Sequence, residues 1–149
     1  MRWEAPVTPK ERAERSAQAM WAGDRASAWV GMQLVEVDEG RATLQLTIRP
    51  EHCNGHGIGH GGITFMLADS AFAFACNSRN IITVAQHNTI SFIAAVREGD
   101  VLTATATETT LVGRSGITDV TVTNQSGAIV AQFRGASRAL GGHLFEEDK

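Results

Sequence analysis

Apolar and polar residues alternate along positions 33–48, QLVEVDEGRATLQLTI, and the interruption at Asp38, Glu39 and Gly40 has the residue types of a tight turn. Period-two alternation around a turn predicts a β-hairpin. Strand-like runs follow at 81–96, 101–111, 117–124 and 128–140, separated by REGD, VGRSG and NQSG. Four strands in series with short turns between them imply antiparallel pairing.

Between the hairpin and those strands the pattern changes. From about His60 to Ser78 or Arg79 the chain reads HGGITFMLADSAFAFACNSR, apolar on nearly every side of a helix. Such a helix is a buried one. Its alanines allow close approach to a curved sheet, and its phenylalanines fill the space around it. A second helix is announced near the N-terminus by Thr8 as N-cap, Pro9 at the first helical position and Glu11 completing a capping box, and should reach about Trp21. Residues 26–32 are expected to form a helical turn or a loop. The resulting division is an N-terminal helical segment over 1–30, an α+β domain over 31–142 and a loosely held tail over 143–149.

Composition narrows the function classes. A chain of 149 residues with 43% hydrophobic content suits one domain with a real core. A net charge of -3 and a pI near 5.9 offer no general attraction to nucleic acid or to an anionic membrane, and no helix-turn-helix or basic extension supplies a DNA reader. No run reaches the roughly 18 apolar residues of a membrane span, and the N-terminus lacks the apolar stretch of a signal peptide. Cys53 and Cys76 form no CxxC pair and are expected to be free thiols. A cytoplasmic protein acting on small molecules is the expectation.

The loop NGHGIGHGG, 54–62, carries the chemistry to be weighed. His52, His56 and His60 have the i, i+4, i+8 spacing of ligands on one helix face, but the intervening glycines each cost about 1 kcal/mol in a helix interior. With no carboxylate among them and no HExxH pattern, no metal is assigned. Gly57, Gly59 and Gly62 also satisfy GxGxxG, yet the strand, crossover and acidic residue of a dinucleotide site are missing. A third use fits better: the glycines free backbone N–H groups at a helix N-terminus, an oxyanion hole in outline. Asp69, a lone carboxylate in an apolar helix, must lose hydration unless a partner or a cleft receives it, as carboxylates at working sites do. Asn54 is either a turn residue or a site residue. His87, Asn88, Thr89 and Ser91 put polar atoms on the following strand, with His87, Thr89 and Ser91 on one face; that face either orients a water or is simply solvated. Ser70 and Ser78 lack a GxSxG elbow.

The stretch NGHGIGHGGITFMLADSAFAFACNS resembles the active-site loop and central helix of PaaI-type hotdog-fold thioesterases, the phenylacetic-acid-degradation family. LVEVDEGRATLQLTI before it, and NTISFIAAVREGDVLTATA and AQFRGASRALGG after it, resemble the flanking strands in order and spacing, so the likeness spans about 31–142. It implies a hotdog fold, an antiparallel sheet wrapped around a long central helix, and metal-free hydrolysis of acyl-CoA thioesters without a cofactor. The substrates it implies are phenylacetyl-CoA or ring-hydroxylated phenylacetyl-CoA. By position, Asp69 matches the catalytic carboxylate, acting as general base or nucleophile. Gly61 matches the residue whose N–H faces the thioester oxygen, and Asn54 matches the loop asparagine that arranges substrate or water. His60, Gly62 and His87 stand as supporting or substrate-binding residues. Where many relatives have FLRP this chain has FIAAV, 92–96, so a coenzyme A contact is absent; Arg97, Arg114, Arg134 and Arg138 either replace it or are ordinary surface charges.

Gly61 and Asp69 are eight residues apart, about 12 Å along one helix, too far for one carbonyl to meet both. Two antiparallel helices across a two-fold axis would bring Gly61 of one subunit to Asp69 of the other. A homo-oligomer with active sites shared across a dimer interface is therefore expected, and the resemblance implies a dimer of dimers. Two further readings stay open. A hydratase or dehydratase on the same fold would pair a histidine such as His60 with Asp69. A non-catalytic acyl-CoA-binding module would keep the pocket and have no use for that carboxylate.

Overall fold

The computed structural model describes residues 5–147. Helix α1, Pro9–Gly23, begins at the expected capping box: Thr8 Oγ1 accepts from the Glu11 N–H at 3.1 Å and the Glu11 carboxylate accepts from the Thr8 N–H at 3.3 Å. The 26–32 region resolves as a short helix, α2, Arg25–Val30. Asp24 Oδ1 caps it by accepting from Ser27 N–H, and Gly31 ends it at φ 95°, where glycine is favoured. The hairpin forms as predicted from β1, Gln33–Asp38, and β2, Arg41–Thr47. A 3-10 turn, Pro50–His52, leads through the glycine loop to α3, Gly61–Cys76, and strands β3, Thr83–Phe92, β4, Val101–Val112, β5, Ser115–Thr123, and β6, Ile129–Ala139, complete the domain.

All strand pairs are antiparallel, in the order β1-β2-β4-β5-β6-β3. One expectation needs correcting. The short 97–100 turn suggests a β3–β4 hairpin, but β3 pairs with β6 at the sheet edge. The strand stops at Phe92 because the N–H groups of Ile93 and Ala94 both turn to the Val130 carbonyl, at 2.8 and 3.2 Å. Residues 93–100 then run across the loop before α3, where Gly59 N–H donates to the Val96 carbonyl at 2.7 Å.

The sheet curls around α3, and its inward residues, among them Leu44, Leu46, Leu102, Ala104, Val120 and Phe133, bury Leu67, Ala68, Ala71, Phe72 and Ala75 of the helix. Contact is close enough to dictate sequence: a Cβ on Gly135 of β6 would lie 2.6 Å from the Phe72 ring. Burial of α3 is nevertheless incomplete. Met66, Asp69 and Ala73 are half-buried and Gly62 is exposed, four residues spaced along one helical stripe.

The chain beyond Gly142 is less loose than expected. Asn80, at φ 60°, accepts at Oδ1 from the N–H groups of Leu144 and Phe145 and donates from Nδ2 to the Phe145 carbonyl. Arg12 forms a two-pronged ion pair with Glu147, and the Arg15 guanidinium sits 4.4 Å from the Phe145 ring centroid. These contacts tie residues 143–147 to α1 and to the end of α3.

Candidate active site

The glycine loop is a built turn. Asn54 Oδ1 accepts from the N–H groups of His56, at 2.9 Å, and Ile58, at 3.4 Å, while Asn54 N–H donates to the Ile58 carbonyl at 2.8 Å. Gly57 takes φ 77°, and a Cβ on Gly59 would come within 2.8 Å of Val96. The Asn54 side-chain oxygen is thus committed to the loop, leaving its Nδ2 as the group able to address a ligand.

The turn delivers the chain to α3 with His60 as N-cap, at φ -61° and ψ 132°. Its Nδ1 accepts from the Gly62 N–H at 2.8 Å, and the N–H groups of Ile63 and Thr64 reach the His60 carbonyl. Gly61 N–H has no hydrogen-bond partner among the described residues. Of the first four donors of α3, Gly61 alone is left for something outside the helix. The Phe92 ring lies beside it: a Cβ on Gly61 would stand 3.0 Å from Phe92 Cζ. Gly61 and Asn54 share a cleft of about 340 Å³ with Ile58, Thr64, Phe92 and the 93–96 segment. Ile93, Ala94 and Ala95 give it an apolar rim with no cation.

Asp69 lies two turns further along α3 and does not line that cleft. Its Oδ1 accepts from Asn88 Nδ2 at 3.0 Å. Burial pushes the carboxyl above its ordinary value, and the Asn88 hydrogen bond partly opposes the shift. The chain therefore brings Gly61, Asn54, His60 and Gly62 together but holds Asp69 apart from them.

His87 is elsewhere. It is exposed with Thr89 and Ser91 on the face of β3 turned away from α3, so the three share a face as expected, but not one that looks into the site. Asn88 is the residue that reaches Asp69. Its signal was available: it is in phase with Ile90 and Phe92, and the apolar phase of a half-buried strand marks the inner face.

The three loop histidines fall on three different elements, the 3-10 turn, the loop and the N-cap. His52 is buried, with Nδ1 accepting from Arg49 N–H and Nε2 beside Arg49 Nη2. Among the described residues no three His, Cys, Asp or Glu side chains are gathered as metal ligands. Cys53 and Cys76 are both free, and the Cys76 thiol is pushed up to about 12, chiefly by burial, so it is protonated and no nucleophile. Arg134 is committed to Asp119 through two hydrogen bonds and Arg138 to Ser115.

The profile of the Thioesterase superfamily matches residues 56–131, the glycine loop, α3 and the strands through the start of β6. The chain belongs to this superfamily. It is 39% identical to the Escherichia coli K12 acyl-coenzyme A thioesterase PaaI over 91% of its own length and 97% of that protein. The structure of E. coli PaaI, a protein from the phenylacetic acid degradation operon, superposes with a TM-score of 0.90, covering 91% of this chain and 99% of that one at 38% identity. A mutant of the phenylacetic acid degradation protein PaaI from Thermus thermophilus gives a TM-score of 0.76 at 32% identity, over 78% of this chain and all of that one. The hotdog architecture expected for this superfamily member is the one observed. No described helix is long and apolar enough to cross a membrane.

Proposed function

We propose that the chain hydrolyses aryl-acetyl thioesters of coenzyme A, phenylacetyl-CoA or ring-hydroxylated phenylacetyl-CoA, in the cytoplasm. The observation that carries this is the free Gly61 N–H at the start of α3, opening into a cleft with an apolar wall. A thioester carbonyl accepting from that N–H would develop its negative charge where the helix dipole favours it. Asn54 Nδ2 arranges the substrate or the water. Asp69 takes a proton from water as the oxygen attacks the carbonyl carbon, and the collapsing tetrahedral oxyanion expels the coenzyme A thiolate, which recovers the proton. Alternatively the carboxylate attacks the carbonyl carbon directly, the tetrahedral oxyanion collapses with expulsion of the coenzyme A thiolate, and water cleaves the resulting anhydride to the free acid and the Asp69 carboxylate, the released proton passing to the thiolate. Both routes use the same three residues, with His60 and Gly62 fixing the helix start.

In either route Asp69 must come from a second subunit. The eight residues separating it from Gly61 span about 12 Å, and it lies outside the Gly61 cleft. The incompletely buried stripe of Gly62, Met66, Asp69 and Ala73 supports a partner helix packed antiparallel on α3. Two such dimers form the tetramer.

A panel of aromatic and aliphatic acyl-CoAs, assayed for free thiol, tests the proposal. Aryl-acetyl thioesters should have the highest kcat/KM. Straight short chains ranked first would remove the aryl preference, and no thiol from any member would remove the activity.

A further inference from the structure

The Asp69 carboxylate is hydrogen-bonded to one side chain among the described residues, and that side chain is Asn88. Nδ2 of Asn88 donates to Asp69 Oδ1 at 3.0 Å, while Asp69 Oδ2 takes no hydrogen bond among those residues. The other half of the amide is idle: Asn88 Oδ1 is buried and has no partner among the described residues. A buried acceptor without a partner weakens a fold, so what this amide provides comes through Nδ2 alone. A β-bulge interrupts the β3–β6 register between Ala85 and His87, immediately before Asn88, and bulges re-aim the side chains beside them.

We propose that Asn88 is the positioning residue for Asp69, fixing its carboxylate through Oδ1 so that Oδ2 is presented to the reacting water or carbonyl carbon. This rests on Asp69 being the reacting carboxylate. A donor favours the ionised form, and Asn88 lowers a carboxyl that burial raises. Other charges do not set this balance. His87 of β3, Asp119 of β5 and Arg134 and Arg138 of β6 lie on the opposite sheet face, and Glu108 of β4 is bound to Arg79 beyond the end of α3. Charged groups of α1, β1 and β2 are at the surface or in ion pairs, among them Arg12 with Glu147 and Lys10 with Glu36. The Cys76 thiol on α3 senses Asp69 but stays neutral.

The first test needs no substitution: in the wild-type protein the Asn88 side-chain amide resonances should titrate with the same midpoint as the Asp69 carboxyl carbon. An amide signal indifferent to that titration overturns the proposal. Removing the donor in Asn88→Ala should move the Asp69 midpoint upward, and the second carboxylate of Asn88→Asp should move it further. The acid limb of kcat/KM should follow, with the loss in Asn88→Ala about tenfold larger below the wild-type midpoint than on the alkaline plateau. A merely structural role lowers activity by one factor at every pH, and that flat ratio, or an unmoved carboxyl midpoint, also overturns it. If no acyl-CoA releases thiol, the proposed activity fails, and the two NMR titrations still decide Asn88 by themselves.

Discussion

Two inactive variants should restore each other when they share a dimer. Asp69→Asn removes the base or nucleophile, and its homodimer should fall at least about 100-fold. Gly61→Pro removes the free N–H at the start of α3, a donor worth about 100- to 1000-fold where it stabilises an oxyanion. The second change suits the fold. Proline is favoured at the first helical position, and His60 before it already has φ -61° and ψ 132°, the extended geometry a following proline requires. The ring would meet Phe92, a residue 57% exposed with room on its solvent side for its ring to shift. When equal amounts are co-refolded, random pairing makes about half of the dimers mixed. Each mixed dimer collects both lesions in one site and leaves the other intact, so roughly a quarter of all sites work and activity should return to about 25% of wild type. If Gly61 and Asp69 acted within one chain, every site of a mixed dimer would carry one lesion. Mixed dimers that demonstrably form, by co-purification of two tags, but stay at the parental level would refute the shared site.

Asp69→Asn should also raise thermal stability at neutral pH. Burial lifts the folded carboxyl above its unfolded value of 3.8, so below that value both states are protonated and wild type and variant should melt alike, whereas ionisation at higher pH lowers wild-type stability alone. Melting curves across pH check this, and a variant less stable at neutral pH would show a structural role instead. Gly135→Ala would set a Cβ 2.6 Å from the Phe72 ring and should destabilise by about 1–3 kcal/mol in urea unfolding; an unchanged midpoint would mean the ring repacks freely. Chelator should leave thiol release unchanged, because His52 is held by Arg49 and the three loop histidines sit on separate elements. Activity lost to chelator and restored by zinc would contradict that.

Local rules were enough for what depends on neighbours in sequence. Thr8, Pro9 and Glu11 marked the start of α1, Asp38 to Gly40 marked the hairpin turn, and the continuous apolar run marked α3, because capping, turn geometry and side-chain periodicity act over a few residues. The lone carboxylate in α3 and the glycines before it pointed to the candidate site for the same reason. Pairings between distant segments were not legible. That β3 leaves β4 to join β6 depends on where the sheet curls and how residues 93–100 cross the loop, and REGD looks the same in a hairpin turn and in a crossover. Alternation along β3 put Asn88 on the inner face with Ile90 and Phe92 and His87 on the outer one, but only the packing of β3 against α3 brought Asn88 to Asp69. The tail shows the same limit, since its polar composition reads as loose while Asn80, Arg12 and Arg15, more than 60 residues away, hold it down. Periodicity fixes a side chain's face relative to its own strand or helix, and only the assembled chain supplies what that face meets.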